Sequence, residues 1–429
     1  MAISRIAMVS VHTSPLAPLG GKKTGGMNVY IRELAQELGR RGIGVDIYTR
    51  RTAPGQPDVD TSLGENVRVI HVFAGPAQPL DPNEVYPYLQ QFAAGIIAFT
   101  TRHPARYDLV YSHYWLSGWV ANKLKEVWNT PFIQMFHTLG HMKNRIDGSS
   151  KPSMRSMLPD TRITLENQIV AWADRIIAAT PAEHAQLLWL YRADARKITI
   201  VPPGVDADRF RPIPREEAKA RLNLSPEDQL LLFVGRIEPL KAVDTILEAI
   251  NLIRQQQPEA LEHTQVAIIG GDPDNPADKE LSRLRALTEQ LNLADLVDFL
   301  GAKDHQWLAY YYAAATTVIM PSDYESFGMV ALEAMASGTP VIASGVGGLA
   351  FLVEDERTGF LVPVREPAAL AERIIALLTH PQQREEMGQN AAELARTYAW
   401  SNIADRLLPI FEDVAARRSA SNAFSHHRH

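Results

Sequence analysis

Residues Met320–Glu333 read MPSDYESFGMVALE, and the fold is decided by how this stretch is understood. It leaves an apolar strand, passes through a polar loop carrying Glu325, Ser326 and Phe327, reaches Gly328, and enters a helix carrying Glu333. A strand that runs through a glycine into a helix is half of a βαβ unit. The helix start offers unpaired backbone N–H groups and the positive end of a dipole, a setting that suits an anion. Glu325 and Glu333 stand eight residues apart. At ~1.5 Å per helical residue their carboxylates lie on the order of 10 Å apart, too far to share one proton but suited to gripping two ends of an elongated ligand. Either glutamate alone is more simply a solvated side chain. The pattern around them makes the pair informative.

That rhythm extends in both directions. Short apolar runs alternate with amphipathic segments, as βαβ units and a mostly parallel sheet require. In the first half, strands are expected at Ile6–Val11, Val45–Thr49, Val67–Val72, Leu109–Ser112, Phe132–Met135, Ile176–Ala179 and Ile198–Val201. The proline-rich stretch from Val201 to Pro214 interrupts the pattern and reads as a domain boundary. Strands resume at Leu230–Val234, Val266–Ile269, Val297–Leu300, Thr317–Met320, Val341–Ala343 and Phe360–Val362. The expected architecture is α/β, with two doubly wound Rossmann-like domains over 1–207 and 208–399 facing a cleft. A C-terminal helix over about 400–416 crosses back to the first domain, and 417–429 forms a disordered tail. In such sheets ligands sit beyond the carboxyl ends of the strands.

The bulk composition fits a soluble enzyme. The chain has 429 residues, 46% of them hydrophobic and 21% charged, with a net charge of −6, so nothing points to nucleic acid. With no cysteine, disulfides and thiolate chemistry are excluded. No run approaches the ~20 apolar residues of a membrane span, and no secretory leader is recognisable, so a cytoplasmic location is expected.

The residues that could carry chemistry follow the strands. Gly25 and Gly26 precede a helix, where a backbone without side chains can approach a phosphate, and Asn28 follows them. His137 and Thr138 follow the fifth expected strand, with Lys143 and Asn144 further along that loop. His113 and Tyr114 follow the fourth, and Arg162 lies on a later helix. Arginine and lysine converging there would suit an acceptor that carries phosphate. In the second half, Arg236 and Lys241 flank one loop and could hold a leaving diphosphate. Lys303 could lie against a nucleobase, and Gly345–Leu349 could pack near the phosphates or merely make a turn. Asp272 and Asp274 have the spacing of a metal pair. The cations already supply neutralisation, so no metal site is assigned and Mg²⁺ is not expected to be essential.

Together, GRIEPLK, ESFGMVALEAMASGTPVIAS, the Gly25–Gly26 loop and His137 resemble the retaining glycosyltransferases of family 4, which have the GT-B fold. The resemblance covers essentially the whole chain apart from the tail. It implies a nucleotide-sugar donor and no other cofactor. Gly25 and Gly26 would approach the donor diphosphate, and Arg236 and Lys241 would bind it. Glu325 would hold sugar hydroxyls, with Ser326, Phe327 and Gly328 beside it, and Glu333 would hold the ribose. His137 would contact the donor sugar. The leaving phosphate would help deprotonate the acceptor, so no enzyme nucleophile is needed. The family often has glycine after the motif lysine, where this chain has Ala242.

The segments SVHTSPL, SHYWLSG and HTLGHMKN are similar to two branches. These are the inositol-phosphate N-acetylglucosaminyltransferases and the sucrose-phosphate synthases, whose acceptors are a phosphorylated polyol and a phosphorylated sugar. Asn28, Tyr114, Thr138, Lys143 and Arg162 would form the acceptor site. In the inositol-phosphate branch a lysine after the third strand is implied as a phosphate ligand. Gly75–Asn83 has none here, so UDP-glucose and fructose 6-phosphate are the expected substrates. The alternatives are the inositol-phosphate reaction and a nucleotide-sugar sensor without turnover.

Overall fold

The computed structural model describes residues 2–17, 25–142, 161–273, 275 and 278–425, with side chains as far as residue 417. Lys143, Asn144, Asp274 and the tail histidines 426, 427 and 429 lie outside the described residues. The chain folds as two compact units. The first runs to Pro202 and resumes at Trp400; the second includes Pro203–Ala399.

In the first unit, β1 (Arg5–Val9), β2 (Gly44–Arg50), β3 (Val59–Asp60), β4 (Val67–Val72), β5 (Leu109–His113), β6 (Phe132–Met135), β7 (Arg175–Ala178) and β8 (Ile198–Ile200) form one sheet. Its order is β3-β4-β2-β1-β5-β6-β7-β8. Every pairing is parallel except that of β3 with β4. The short antiparallel β3 is absent from the sequence reading, because Val-Asp is too brief to show alternation. Ile6, Ala7, Met8 and Val9 are wholly buried, as expected of a central parallel strand covered on both faces.

In the second unit, β9 (Gln229–Val234), β10 (Thr264–Ile269), β11 (Val297–Phe299), β12 (Ala315–Met320), β13 (Val341–Ser344) and β14 (Gly359–Val362) are parallel. The order is β11-β10-β9-β12-β13-β14. Successive crossovers run outward from β9 and then return to its other side at β12. The connections that leave the carboxyl ends of β9 and β12 therefore run in opposite directions and leave a crevice, and those of β1 and β5 do the same in the first unit.

Val205 and Ala399 form a bridge, so the chain enters and leaves the second unit side by side. The helix Trp400–Ser425 then joins the first unit, where the Trp400 ring lies 5.4 Å from that of Tyr30 and Arg175 pairs with Asp413 at 2.7 Å. The expectation of a disordered tail from residue 417 is corrected: helix continues through Ser425. That stretch reads Arg-Arg-Ser-Ala-Ser-Asn-Ala-Phe-Ser and contains neither proline nor glycine to end the helix that enters it. Among the described residues, no helix is long and apolar enough to cross a membrane.

Candidate active site

The second unit gathers its candidates at the carboxyl edge of the sheet. Lys241 ends a short 3-10 turn after β9, and Glu325 sits on the loop after β12. Across the β9/β12 crevice the Lys241 ammonium donates to Glu325 Oε2, both side chains being largely shielded from solvent. Asp323 N–H also donates to the carbonyl of Leu240 at 2.9 Å, so the two loops are joined by backbone as well.

Arg365 completes this tie. Its Nε and Nη2 donate to the two carboxylate oxygens of Asp323, each at 2.7 Å; Nη2 also donates to Pro239 O, and Nη1 to Asp244 Oδ1, each at 2.9 Å. The planar guanidinium thus fixes the Lys241 turn and the Glu325 loop at once. Sequence reasoning passed over Arg365. Its one signal was position, a cation just beyond the last strand of the sheet.

Glycines let the loops approach. Gly328 caps the helix Met329–Ala336 at φ 105°, a conformation that favours glycine. Gly347 lies at φ 49°, and a Cβ there would stand 2.0 Å from the Glu325 carbonyl oxygen. Gly348 N–H donates to that same oxygen at 2.9 Å. Gly345–Leu349, read from sequence as a phosphate neighbour or a simple turn, also packs against the backbone of the glutamate loop. Ala242 has φ 53°, which accounts for the glycine often found at this place; its buried methyl is accommodated in the left-handed conformation.

The remaining residues of this unit take different settings. Arg236 is exposed and donates to Glu238 Oε1 at 2.7 Å, so it is directed to a neighbour other than Glu325. Ser326 is half-buried and Phe327 buried. Glu333 is buried and accepts from the Tyr312 hydroxyl at 2.8 Å. Burial, with Glu333 beside it, pushes the Tyr312 phenol well above its ordinary pKa, so Tyr312 remains the donor. Lys303 is half-buried on the loop after β11, at the same edge of the sheet.

The first unit forms a second cluster beyond β1, β5 and β6. Tyr114 opens the helix Tyr114–Trp128 at φ 75°, and its ring stands 4.5 Å from that of His12. The Arg162 guanidinium lies 4.8 Å over the Tyr114 ring. Arg162 Nη2 donates to Thr138 O at 2.6 Å and to Thr138 Oγ1 at 3.1 Å, and its Nε donates to Glu166 Oε1 at 2.7 Å. Glu166 is fully buried and also accepts from Gly140 N–H at 3.0 Å, which anchors the loop after β6. Burial opposes the Arg162 charge, but Tyr114, Glu166 and Tyr191 outweigh it and raise its pKa.

His137 lies in that loop at φ 62°, beyond the end of β6 rather than within it, and its Nε2 is 3.0 Å from His113 Nδ1. Burial, with His12 adding to it, brings His137 down to about 3, so its imidazole is neutral near pH 7. Asn28 is buried and uses its amide to hold the loop after β1, donating to Thr13 Oγ1 at 2.6 Å and to Ser14 O at 2.7 Å. Gly25 and Gly26 are exposed at the start of the helix Gly26–Arg40, and a Cβ on Gly25 would meet nothing. The structure thus brings together Tyr114, Thr138 and Arg162 in one unit, and Lys241 with Glu325 in the other. Tyr30, Glu166 and Arg365 are supporting side chains the sequence reading missed, the Tyr30 ring lying 5.3 Å from that of His137.

Comparison with known proteins agrees with this arrangement. Residues 24–209 match the profile of Glycosyltransferase Family 4, and residues 214–394 that of Glycosyl transferases group 1. The chain is 42% identical to D-inositol 3-phosphate glycosyltransferase 2 of Catenulispora acidiphila, over 96% of this chain and 97% of that one. It is 41% identical to D-inositol 3-phosphate glycosyltransferase of Kineococcus radiotolerans, over 98% of each. Among solved structures it is similar to sucrose-phosphate synthase from Thermosynechococcus elongatus, with a TM-score of 0.85 and 35% identity over 96% of this chain and 100% of that one. With two Rossmann-like units of the GT-B type and relatives matched along almost its whole length, the chain belongs to glycosyltransferase family 4 and is a glycosyltransferase.

Proposed function

We propose that the protein transfers a glucosyl-type unit from a UDP-sugar to a phosphorylated sugar or polyol, with retention at the anomeric carbon, and that fructose 6-phosphate is the acceptor. The observation that carries this reading is the Lys241–Glu325 pair across the β9/β12 crevice. A diphosphate entering there competes for the ammonium, and Glu325, released from Lys241, accepts hydrogen bonds from donor-sugar hydroxyls. Lys241 and Arg236 offset the charge that develops on the leaving phosphate as the bond from the anomeric carbon to oxygen breaks. A phosphate oxygen takes the proton of the acceptor hydroxyl as that hydroxyl attacks on the same face. UDP leaves and no enzyme nucleophile or divalent cation enters the step. Gly25, Gly26, Lys303, Ser326, Phe327, Gly328 and Glu333 complete the donor site in this reading.

Arg162, with Thr138 and Tyr114 around it, is the proposed anchor for the acceptor, and Asn28 supports it by shaping the loop after β1. The choice of fructose 6-phosphate rests on Gly75–Asn83. This stretch has no lysine for the phosphate and instead places Asp81 at the N-terminus of the helix Pro82–Val85. A lost charge-assisted hydrogen bond is worth roughly 1.5–3 kcal/mol. The second reading, transfer to inositol 3-phosphate, is favoured by the 42% and 41% identities to enzymes named for that acceptor. UDP-, GDP- and ADP-sugars tested against fructose 6-phosphate, free fructose and inositol 3-phosphate, with nucleotide and product measured together, separate them. UDP release with sucrose 6-phosphate formed is the expected result. Product only with inositol 3-phosphate would establish the second reading, and no product with any pair would favour a sensor.

A further inference from the structure

The geometry points to a positioning role for His113: its Nδ1–H donates to His137 Nε2 and so leaves His137 with its own hydrogen on Nδ1, the nitrogen facing away from His113. Three observations carry this. The contact between His113 Nδ1 and His137 Nε2 is 3.0 Å, a full hydrogen bond that either ring could donate. His113 is wholly buried, and among the described residues its other nitrogen, Nε2, has no partner. The backbone of His137 is held at φ 62°, in the left-handed region that is uncommon outside glycine.

The unpartnered nitrogen decides the direction of the bond. If His137 donated, neutral His113 would have to carry its hydrogen on Nε2, leaving a buried N–H with nothing to receive it. Orphaned buried donors are rarer in proteins than acceptors with an unused lone pair. If His113 donates, its Nε2 is a bare lone pair and the larger penalty is avoided. A charged pair is excluded because burial, with His137 beside it, holds His113 well below the usual imidazole range, and His137 is likewise depressed. With one hydrogen in the shared bond, neutral His137 carries its own on Nδ1, the outcome expected of any imidazole whose other nitrogen accepts.

Neighbouring rings hold the pair in place. The two imidazoles are 5.2 Å apart centre to centre, Tyr30 stands 5.6 Å from His113 and 5.3 Å from His137, and Tyr111 lies 4.3 Å from His113. The Tyr30 and Tyr111 hydroxyls are directed elsewhere: they bond each other at 2.7 Å, and the Tyr111 hydroxyl also reaches Met135 Sδ at 3.5 Å. A hydrogen on His137 Nδ1 can donate to a sugar hydroxyl oxygen. That consequence rests on the proposed placing of His137 at the donor sugar, whereas the tautomer itself does not.

The test is a long-range ¹H–¹⁵N correlation spectrum of the full chain labelled in histidine nitrogen, without ligand. The His137 signals are assigned as those missing from His137→Asn. Wild type is expected to show His137 protonated at Nδ1 and bare at Nε2. His113→Asn, whose amide nitrogen can stand where Nδ1 stood, should keep that pattern, while His113→Leu should move the hydrogen to Nε2. A wild-type His137 protonated at Nε2, or an unchanged tautomer in His113→Leu, would overturn the inference, and the wild-type spectrum alone decides the first. Turnover should fall on the order of 10- to 100-fold in His113→Leu and recover in His113→Asn. If the tautomers behave as stated but His113→Leu turns over like wild type, the positioning stands and the placing of His137 at the donor sugar fails.

Discussion

Replacing Gly347 by alanine tests whether the glycine turn after β13 holds the glutamate loop in place. The new Cβ would stand 2.0 Å from the Glu325 carbonyl oxygen, and the residue would have to keep φ near 49°. The left-handed conformation costs alanine about 1–2 kcal/mol. The lower freedom of the unfolded alanine chain returns roughly 0.5–1 kcal/mol. Backbone that must move apart adds about 1–3 kcal/mol, and the Gly348 N–H bond to the same oxygen, worth about 1 kcal/mol, is weakened as it moves. The sum is a loss of about 2–5 kcal/mol, with Glu325 displaced from Lys241. Gly345→Ala is the matched control: nothing lies nearer its added methyl than Val362 O at 3.8 Å, so its stability should stay within about 0.5 kcal/mol of wild type. Urea unfolding followed by circular dichroism, together with released nucleotide, reads both. Equal unfolding midpoints and equal turnover for Gly347→Ala and Gly345→Ala would refute the packing argument.

Other perturbations separate positioning from chemistry. Arg365→Ala should cost stability less than about 1 kcal/mol, because the side chain is well exposed, yet lower kcat about tenfold by untying both loops. Unchanged kcat would show that Asp323 and Leu240 suffice. Lys241→Ala should lower kcat on the order of 100-fold while changing the acceptor KM little, and the reverse split in steady-state kinetics would remove Lys241 from the leaving group. Glu183 has its carboxyl raised from 4.5 to about 7 by burial, with Glu166 adding to it and the Ala179 N–H bond opposing. The folded state therefore holds a proton that the unfolded state has released between those pH values. The resulting stability is fully present below pH 4.5 and is lost as pH rises through about 7. Glu183→Gln, which can still accept from Ala179, should flatten that slope and unfold at higher urea than wild type at pH 8; identical pH profiles would contradict it.

Legibility differed between the fold and the site. β4 (Val67–Val72) and β6 (Phe132–Met135) lie where their largely apolar runs placed them, even though Arg68, His71 and Gln134 interrupt those runs. β3 escaped notice because two residues carry no period, and the helical stretch up to Ser425 because position at the terminus outweighed helix propensity in the reading. The β9 and β12 loops announced themselves through Lys241 and Glu325, each on the loop that follows an apolar strand.

The run of strands, glycines and charges along the chain was sufficient for the α/β class, the two-part organisation and a short roster of polar side chains beyond strand ends. Such features are local, and a few neighbouring residues impose them whatever the rest does. Which of those side chains meet could not be read that way. Lys241 and Glu325 are 84 residues apart, and Arg365 bonds to Asp244 across 121. Those contacts exist only because crossovers reverse direction at β9 and bring the loops after β9, β12 and β14 to one edge of a sheet. The partner of His113, and the unpartnered Nε2 that orients it, depend in the same way on β5 and β6 lying side by side.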